Sequence, residues 1–305
     1  NNQYALVYNP TDNKNRHPLG VAISDDGLNF NNLSLVHGEV PVKRYWGIEK
    51  RPGPQYVRGI SEGNGNPPGN DLWVVYSVSK EDIWVSKIPV PISRLQNGKI
   101  EDTFDQASSM NIIKGWNIYR PKWCPVGIRK ISTKNDKSLC LEDFDPSDYA
   151  KAVRVLEKKI KNTISFDLYL ETINEPFFVD LNNILGQALI RFSINKKNEI
   201  TIEGLSGNKK IFLKRKQWYP IKIKYDANNA SYDITIKNLM KIKDLCFLSE
   251  GFPQRIEFRT GFYRLNRKIQ EYKSGDQRIV GWDETGTEQP IGTTEVCIDN
   301  FKTHQ

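Results

Sequence analysis

The sequence predicts an all-β chain in two parts, with a two-sheet sandwich occupying the C-terminal two-thirds. Three observations lead there. Helical periodicity is nearly absent across the 305 residues, alternation of period two recurs along them, and the texture changes roughly one-third of the way in.

The first part, residues 1–112, is dense in Gly, Pro and Trp, with short strands between long loops. Its expected strands are Tyr4–Tyr8, Gly20–Ser24, Tyr56–Ile60, Leu72–Ser77 and Ile83–Lys87. Periodicity is lost over Asp105-Gln106-Ala107-Ser108-Ser109, and a connection over 113–137 follows. Within it, the rings of Trp116, Tyr119 and Trp123 are expected to staple the two parts together.

The second part, residues 138–305, alternates clearly. Ile164, Phe166, Leu168 and Leu170 point one way, while Ser165, Asp167, Tyr169 and Glu171 point the other. Ile190, Phe192 and Ile194 repeat the pattern. The best hairpin runs from Trp218 to Lys237. Tyr219, Ile221, Ile223 and Tyr225 share a face on one arm, and Tyr232, Ile234 and Ile236 on the other. The link, Asp226-Ala227-Asn228-Asn229-Ala230, carries residues that tolerate turn geometry. Arms with one apolar face need a second sheet to cover them. Asp148–Val153 allows a helical turn or two.

Composition narrows the functional classes. A hydrophobic fraction of 38% and an aromatic fraction of 11% suit β packing, and rings also stack on sugars. No run approaches ~18 apolar residues, so no membrane span is expected. The opening Asn1-Asn2-Gln3 suggests a processed leader or a start in mid-protein. Cys124, Cys140, Cys246 and Cys297 form no C-x-x-C pair, which argues against zinc or redox chemistry. Cys246 and Cys297 are expected to be buried thiols. The net charge of +8 is dispersed: Ile221-Lys222-Ile223-Lys224-Tyr225 puts each Lys on a wet face. That favours a solvated surface, or attraction to an acidic glycan, over a nucleic-acid partner.

Motifs sharpen the expectation. Ser24-Asp25-Asp26-Gly27-Leu28-Asn29-Phe30 fits S-x-D-G-x-x-F, in which Ser and Asp tie a tight turn, Gly takes the unusual dihedral and the aromatic plugs a core. The motif resembles the Asp-box of sialidase-like β-propellers. Gly53–Gly65 and Asp71–Ser86 look like the final blades of bacterial sialidase-like propeller proteins of polysaccharide-degrading systems. Leu139–Pro146, Ile256–Gly261 and the closing Val296-Cys297-Ile298-Asp299-Asn300-Phe301 resemble a concanavalin or laminin-G-like jelly roll.

The resemblance implies an incomplete β-propeller segment followed by a jelly-roll sandwich. Residues 1–112 hold two or three blades, too few to close a ring, so further blades would come from the same protein's N-terminal part or from another chain. It also implies a glycoside hydrolase of secreted, periplasmic or cell-surface location, with carbohydrate as partner. No cofactor is required. Some relatives place calcium near the last strand, which makes Asp299 a candidate ligand, or else a residue that keeps the strand soluble.

Glycosidic cleavage needs a proton donor and a nucleophile or base. The sialidase-like solution uses a Tyr activated by a Glu, with Arg gripping a carboxylate. Tyr56, Arg58 and Glu62 are the right residue types, with Tyr56 and Arg58 two apart on one strand. The alternative is a core Tyr beside an Arg58–Glu62 ion pair. Glu81 or Asp82 could act as acid or base and Lys80 could contact an anionic sugar, but a charged hairpin tip is the default explanation for them. Arg16, His17 and His37 are loop residues able to line the same cleft, and Trp282 is the expected exposed sugar platform. The same residues would serve a polysaccharide lyase, and a non-catalytic carbohydrate-binding protein is the third reading.

Overall fold

A computed structural model of the chain describes residues 3–12, 16–39, 53–60, 70–92, 98–107, 113–131, 136–205, 210–261 and 290–304. Among them there is no helix, and hence none long and apolar enough to cross a membrane. All strand pairs are antiparallel. The described residues up to 92 form one compact unit, and those from 98 onward form a second.

The first unit has two three-stranded sheets. One joins β1 (Tyr4–Tyr8), β2 (Leu19–Ser24) and β3 (Asn31–His37); the other joins β4 (Pro54–Gly59), β5 (Leu72–Val78) and β6 (Asp82–Ile88). Neither closes into a ring. Leu19, Val21, Val74, Tyr76, Val78 and Ile88 form a shared core between them. The turn from β2 to β3 is built as its motif requires. Ser24 Oγ accepts from the Gly27 N–H at 2.9 Å, Asp26 Oδ1 accepts from the Leu28 and Asn29 N–H groups at 2.8 Å, and Gly27 has φ +75°. Those bonds, led by the backbone N–H of Asn29, hold the Asp26 carboxyl well below its usual range. Phe30 departs from the expected plug, since it is exposed.

The second unit is a jelly-roll-like sandwich. Its eight-stranded sheet runs β19 (Met240–Cys246), β18 (Ser231–Ile236), β17 (Trp218–Asp226), β12 (Lys161–Thr172), β21 (Thr294–His304), β10 (Asp136–Asp143), β9 (Val126–Ile131), with β7 (Glu101–Asp102) also on β21. Its seven-stranded sheet runs β16 (Ile211–Phe212), β15 (Glu199–Ile202), β14 (Ala188–Ile194), β13 (Phe177–Asn182), β20 (Arg255–Thr260), β11 (Lys151–Val155), β8 (Trp116–Tyr119). One continuous core lies between the sheets, and the predicted inward residues of β12, β17 and β18 are all in it. The hairpin pairs Asp226 with Ser231, and Asp226 Oδ1 accepts from the Asn228 N–H at 3.1 Å.

Several expectations change. Asp148–Val153 is not helical; it leads into β11. The stretch read as a connection supplies β8 and β9, and Trp116 sits in the sandwich core against Phe104, Phe258 and Phe301. Cys297 is not a free thiol: it faces Cys140 in the β10–β21 register and is disulfide-bonded to it, while Cys246 is exposed. A side chain facing outward from the sheet met its partner there, and the buried thiol is instead Cys124.

Asp143 is a buried carboxyl at the end of β10, accepting from the Asp145 N–H, the Thr260 hydroxyl and the Cys124 thiol. Burial outweighs these bonds and pushes its pKa up to about 6. A folded-state value above the unfolded one makes the fold bind the proton more tightly. Stability from this group is therefore full below the unfolded value of ~3.9 and is lost as pH rises through about 6. Asp143→Asn is expected to flatten the fall in Tm between pH 4 and 6.5, as read by thermal melts. An unchanged pH profile would remove Asp143 as its source.

Candidate functional site

Three of the predicted site residues meet in the first unit. Tyr56 is 60% exposed on β4. The Arg16 guanidinium lies 5.5 Å from its ring centroid and the Lys80 ammonium 5.9 Å. All three backbones have positive φ: 49° at Arg16, 57° at Tyr56 and 58° at Lys80. Bulky residues avoid that region, and strain of this kind concentrates at sites where geometry matters more than stability.

Local pairing explains the arrangement. The β4–β5 register shifts between Gln55 and Arg58, so strict alternation does not hold across Tyr56. Lys80 sits with Ser79 at the tip of the β5–β6 hairpin, where the Glu81 N–H donates to the Val78 carbonyl at 3.0 Å. Both tip residues have positive φ, which is the primed geometry suited to strand twist. Glu81 and Asp82 are half-buried at the base of this turn. Arg58 is exposed, so a core position for Tyr56 is excluded while a surface role for both residues stands.

The histidines divide. His17 Nε2 is 2.9 Å from the Glu39 carbonyl oxygen, beside Arg16 in sequence. His37 is not a loop residue: it ends β3, is buried, lies 3.2 Å through Nδ1 from the Tyr76 hydroxyl and packs edge-on to Trp84. Tyr76 in turn sits 2.7 Å from Ser86 Oγ, and burial pushes its pKa up to about 12. Glu62 and Trp282 lie outside the described residues.

Sequence reasoning did not anticipate a cleft on the sandwich. The outward face of the eight-stranded sheet carries a cleft of about 510 Å³, lined among others by Ser165, Asp167, Lys222, Thr235, Lys237 and Lys302. A bulge positions it: between Ser165 and Asp167 the β12–β21 register slips, and Asn300 in β21 takes φ +50°. The Asn300 amide donates to Asp167 Oδ2 at 2.9 Å and lies 3.4 Å from Asp299 Oδ2. Asp299, the predicted metal ligand, is thus buried opposite Asp167 with an amide between the two carboxylates. Among the described residues, the grouping of Cys, His and acidic side chains close enough for a metal is Cys140, Glu295 and Cys297, whose sulfurs are joined to each other.

The opposite sheet also carries buried charge. Arg191 grips Asp180 in bidentate fashion at 2.7 and 2.9 Å, and Arg259 pairs with Glu257 at 3.2 Å. Burial is the main cause that raises the Asp180 carboxyl, with Arg191 opposing it. Paired charges of this kind hold a sheet face in register.

A family profile described as "Sialidase-like, CBM domain", where CBM denotes a carbohydrate-binding module, matches residues 116–271. A solved structure called a sialidase aligns over 99% of this chain with 31% identity and a TM-score of 0.84, and the chain spans 27% of that protein's length. The solved cellulose-induced protein Cip1 aligns over 67% of this chain and 96% of its own, with 11% identity and a TM-score of 0.44. No curated protein sequence matches.

Proposed function

Because this chain belongs to the sialidase-like carbohydrate-binding-module family, we propose that it is the glycan-recognising part of an extracytoplasmic glycoside hydrolase. The sandwich binds carbohydrate, and the first unit contributes to the reaction centre. Its two three-stranded sheets act as incomplete propeller blades, completed by further residues of the same protein or by another chain. The Cys140–Cys297 disulfide supports an oxidising location, at the cell surface or beyond it.

One observation carries the catalytic reading: an exposed Tyr56 flanked by Arg16 and Lys80 on strained backbone. Two cations over the ring of an exposed phenol attract an anionic sugar to it. In this reading Tyr56 is the nucleophile and Glu62 assists its deprotonation. Glu81 or Asp82 donates the proton to the departing oxygen, while Arg16, His17, Arg58 and Lys80 orient the sugar and Trp282 stacks on it. An elimination reaction would draw on Tyr56 as base in the same place, since His37 is engaged in the interior with Tyr76 and Trp84. No cofactor enters the scheme, and calcium would act structurally through Asp299.

Tyr56→Phe in the enzyme that contains this chain is expected to lower turnover on its glycan by about 100-fold or more. Steady-state kinetics would check it, and KM should hardly move. A second reading, carbohydrate binding without catalysis, is favoured by the family match falling within residues 116–271, away from Tyr56. Full turnover in the variant together with retained glycan binding would select it.

A further inference from the structure

We propose that the cleft on the outward face of the eight-stranded sheet is an anionic-saccharide subsite, in which Lys222 and Lys237 meet the carboxylate or sulfate of the sugar. This rests on the carbohydrate-binding reading above and adds the place and the ligand class.

The charge balance at the cleft is the first argument. Lys222, Lys237 and Lys302 line it, against one carboxylate, Asp167. Asp167 already accepts from the Asn300 amide, and Lys302 is held by Glu101 at 2.6 Å. Lys222 and Lys237 are exposed and enter no ion pair among the described residues. Lys222 stands on β17 and Lys237 in the turn that follows β18, and Thr235 lies directly across from Lys222 in the register. Two ammonium groups beside hydroxyls on a concave surface match an anionic group carried on a polyol.

The neighbouring imidazole reports the same field. His304 Nε2 is 2.8 Å from Ser165 Oγ, at the edge of the cleft. Burial, then Lys222, Lys99 and Lys302, hold its pKa below the usual imidazole range, while Glu101 works against them.

The floor gives shape to the charge. Pro220 is exposed in the middle of the sheet, opposite Asp167. Its ring, with the Thr235 side chain, offers apolar surface to the C–H face of a pyranose. A bulged strand beside a central proline turns an otherwise flat sheet into a recess. Phosphodiester polymers would use the ammonium groups but have no call on such a floor, so a sugar is the favoured occupant.

The test is calorimetric titration of the 305-residue chain with an oligogalacturonate, a sulfated oligosaccharide of similar length and a neutral cello-oligosaccharide. At least one anionic probe should bind about tenfold more tightly than the neutral one, and weaken as salt rises. Lys222→Ala/Lys237→Ala should lower that affinity about tenfold or more with Tm unchanged, because both side chains are exposed. Lys130→Ala, on the far edge strand β9, should leave it alone. Which anionic probe prevails tells carboxylate from sulfate. Neutral probe bound as well as the charged ones, with the double variant indifferent, would overturn this subsite and leave the carbohydrate reading standing. Binding of none of the three would sink both. A single-stranded DNA of equal charge bound as tightly as the best saccharide would also overturn it, as plain ion exchange.

Discussion

Phe258→Ala is expected to lower the stability of the sandwich by about 3–5 kcal/mol. Phe258 is fully buried on β20, where its ring meets Phe166 edge-on at 5.0 Å between centroids and Trp116 at 5.9 Å. Phe166 comes from β12 in the facing sheet and Trp116 from β8 in Phe258's own sheet, so truncation opens a void where three strands converge. The surrounding rings are large and held by their own sheets, which limits how far they can collapse into the space. Denaturant unfolding followed by Trp fluorescence would measure the loss. A loss under ~1 kcal/mol would mean that the two sheets do not meet through this residue.

The second large effect belongs to the disulfide. Cys140 and Cys297 are 157 residues apart and tie β10 to β21 inside the eight-stranded sheet. Chain-entropy reasoning for so long a loop gives up to ~5 kcal/mol, and removal of native bridges typically costs about 2–5 kcal/mol. The Cys140→Ala/Cys297→Ala variant is therefore expected to melt well below the parent chain. Ile131, Tyr169 and Trp218 gather around the bridge on the outward face, so the double truncation also loosens that cluster. Equal melting of parent and variant would show that strand pairing alone sets the register there.

What was legible in the sequence was whatever depended on neighbours along one strand. Tyr219, Ile221, Ile223 and Tyr225 announced a buried face because alternation is local, and Asp226 to Ala230 announced the turn by chemistry alone. The Ser24–Phe30 turn was readable for the same reason. By contrast β3 went unnoticed, since Leu33 and Leu35 lie on its exposed side. Apolar residues facing outward disguise a strand. The bond between Cys140 and Cys297 had no local signature at all.

The sites divide in the same way. Tyr56, Arg58 and Lys80 could be named from residue type and spacing, but the approach of Arg16 to Tyr56 depends on loop closure across distant residues. The positive φ at Tyr56 arises from a register slip that no propensity announces. The sandwich cleft was out of reach, because Ser165, Lys222 and Lys302 come from three strands and Lys237 from the turn after a fourth. The alternation of Ile221 to Tyr225 did place Lys222 on a wet face. It could not say that Lys237 and Lys302 would share that face.

The position of β21 has a consequence for how the protein is made. This strand sits between β12 and β10 in the middle of its sheet, yet it is translated more than a hundred residues after either. Until β21 has been translated, both older strands wait with an unsatisfied edge. During that interval those edges are open to pairing with the wrong partner.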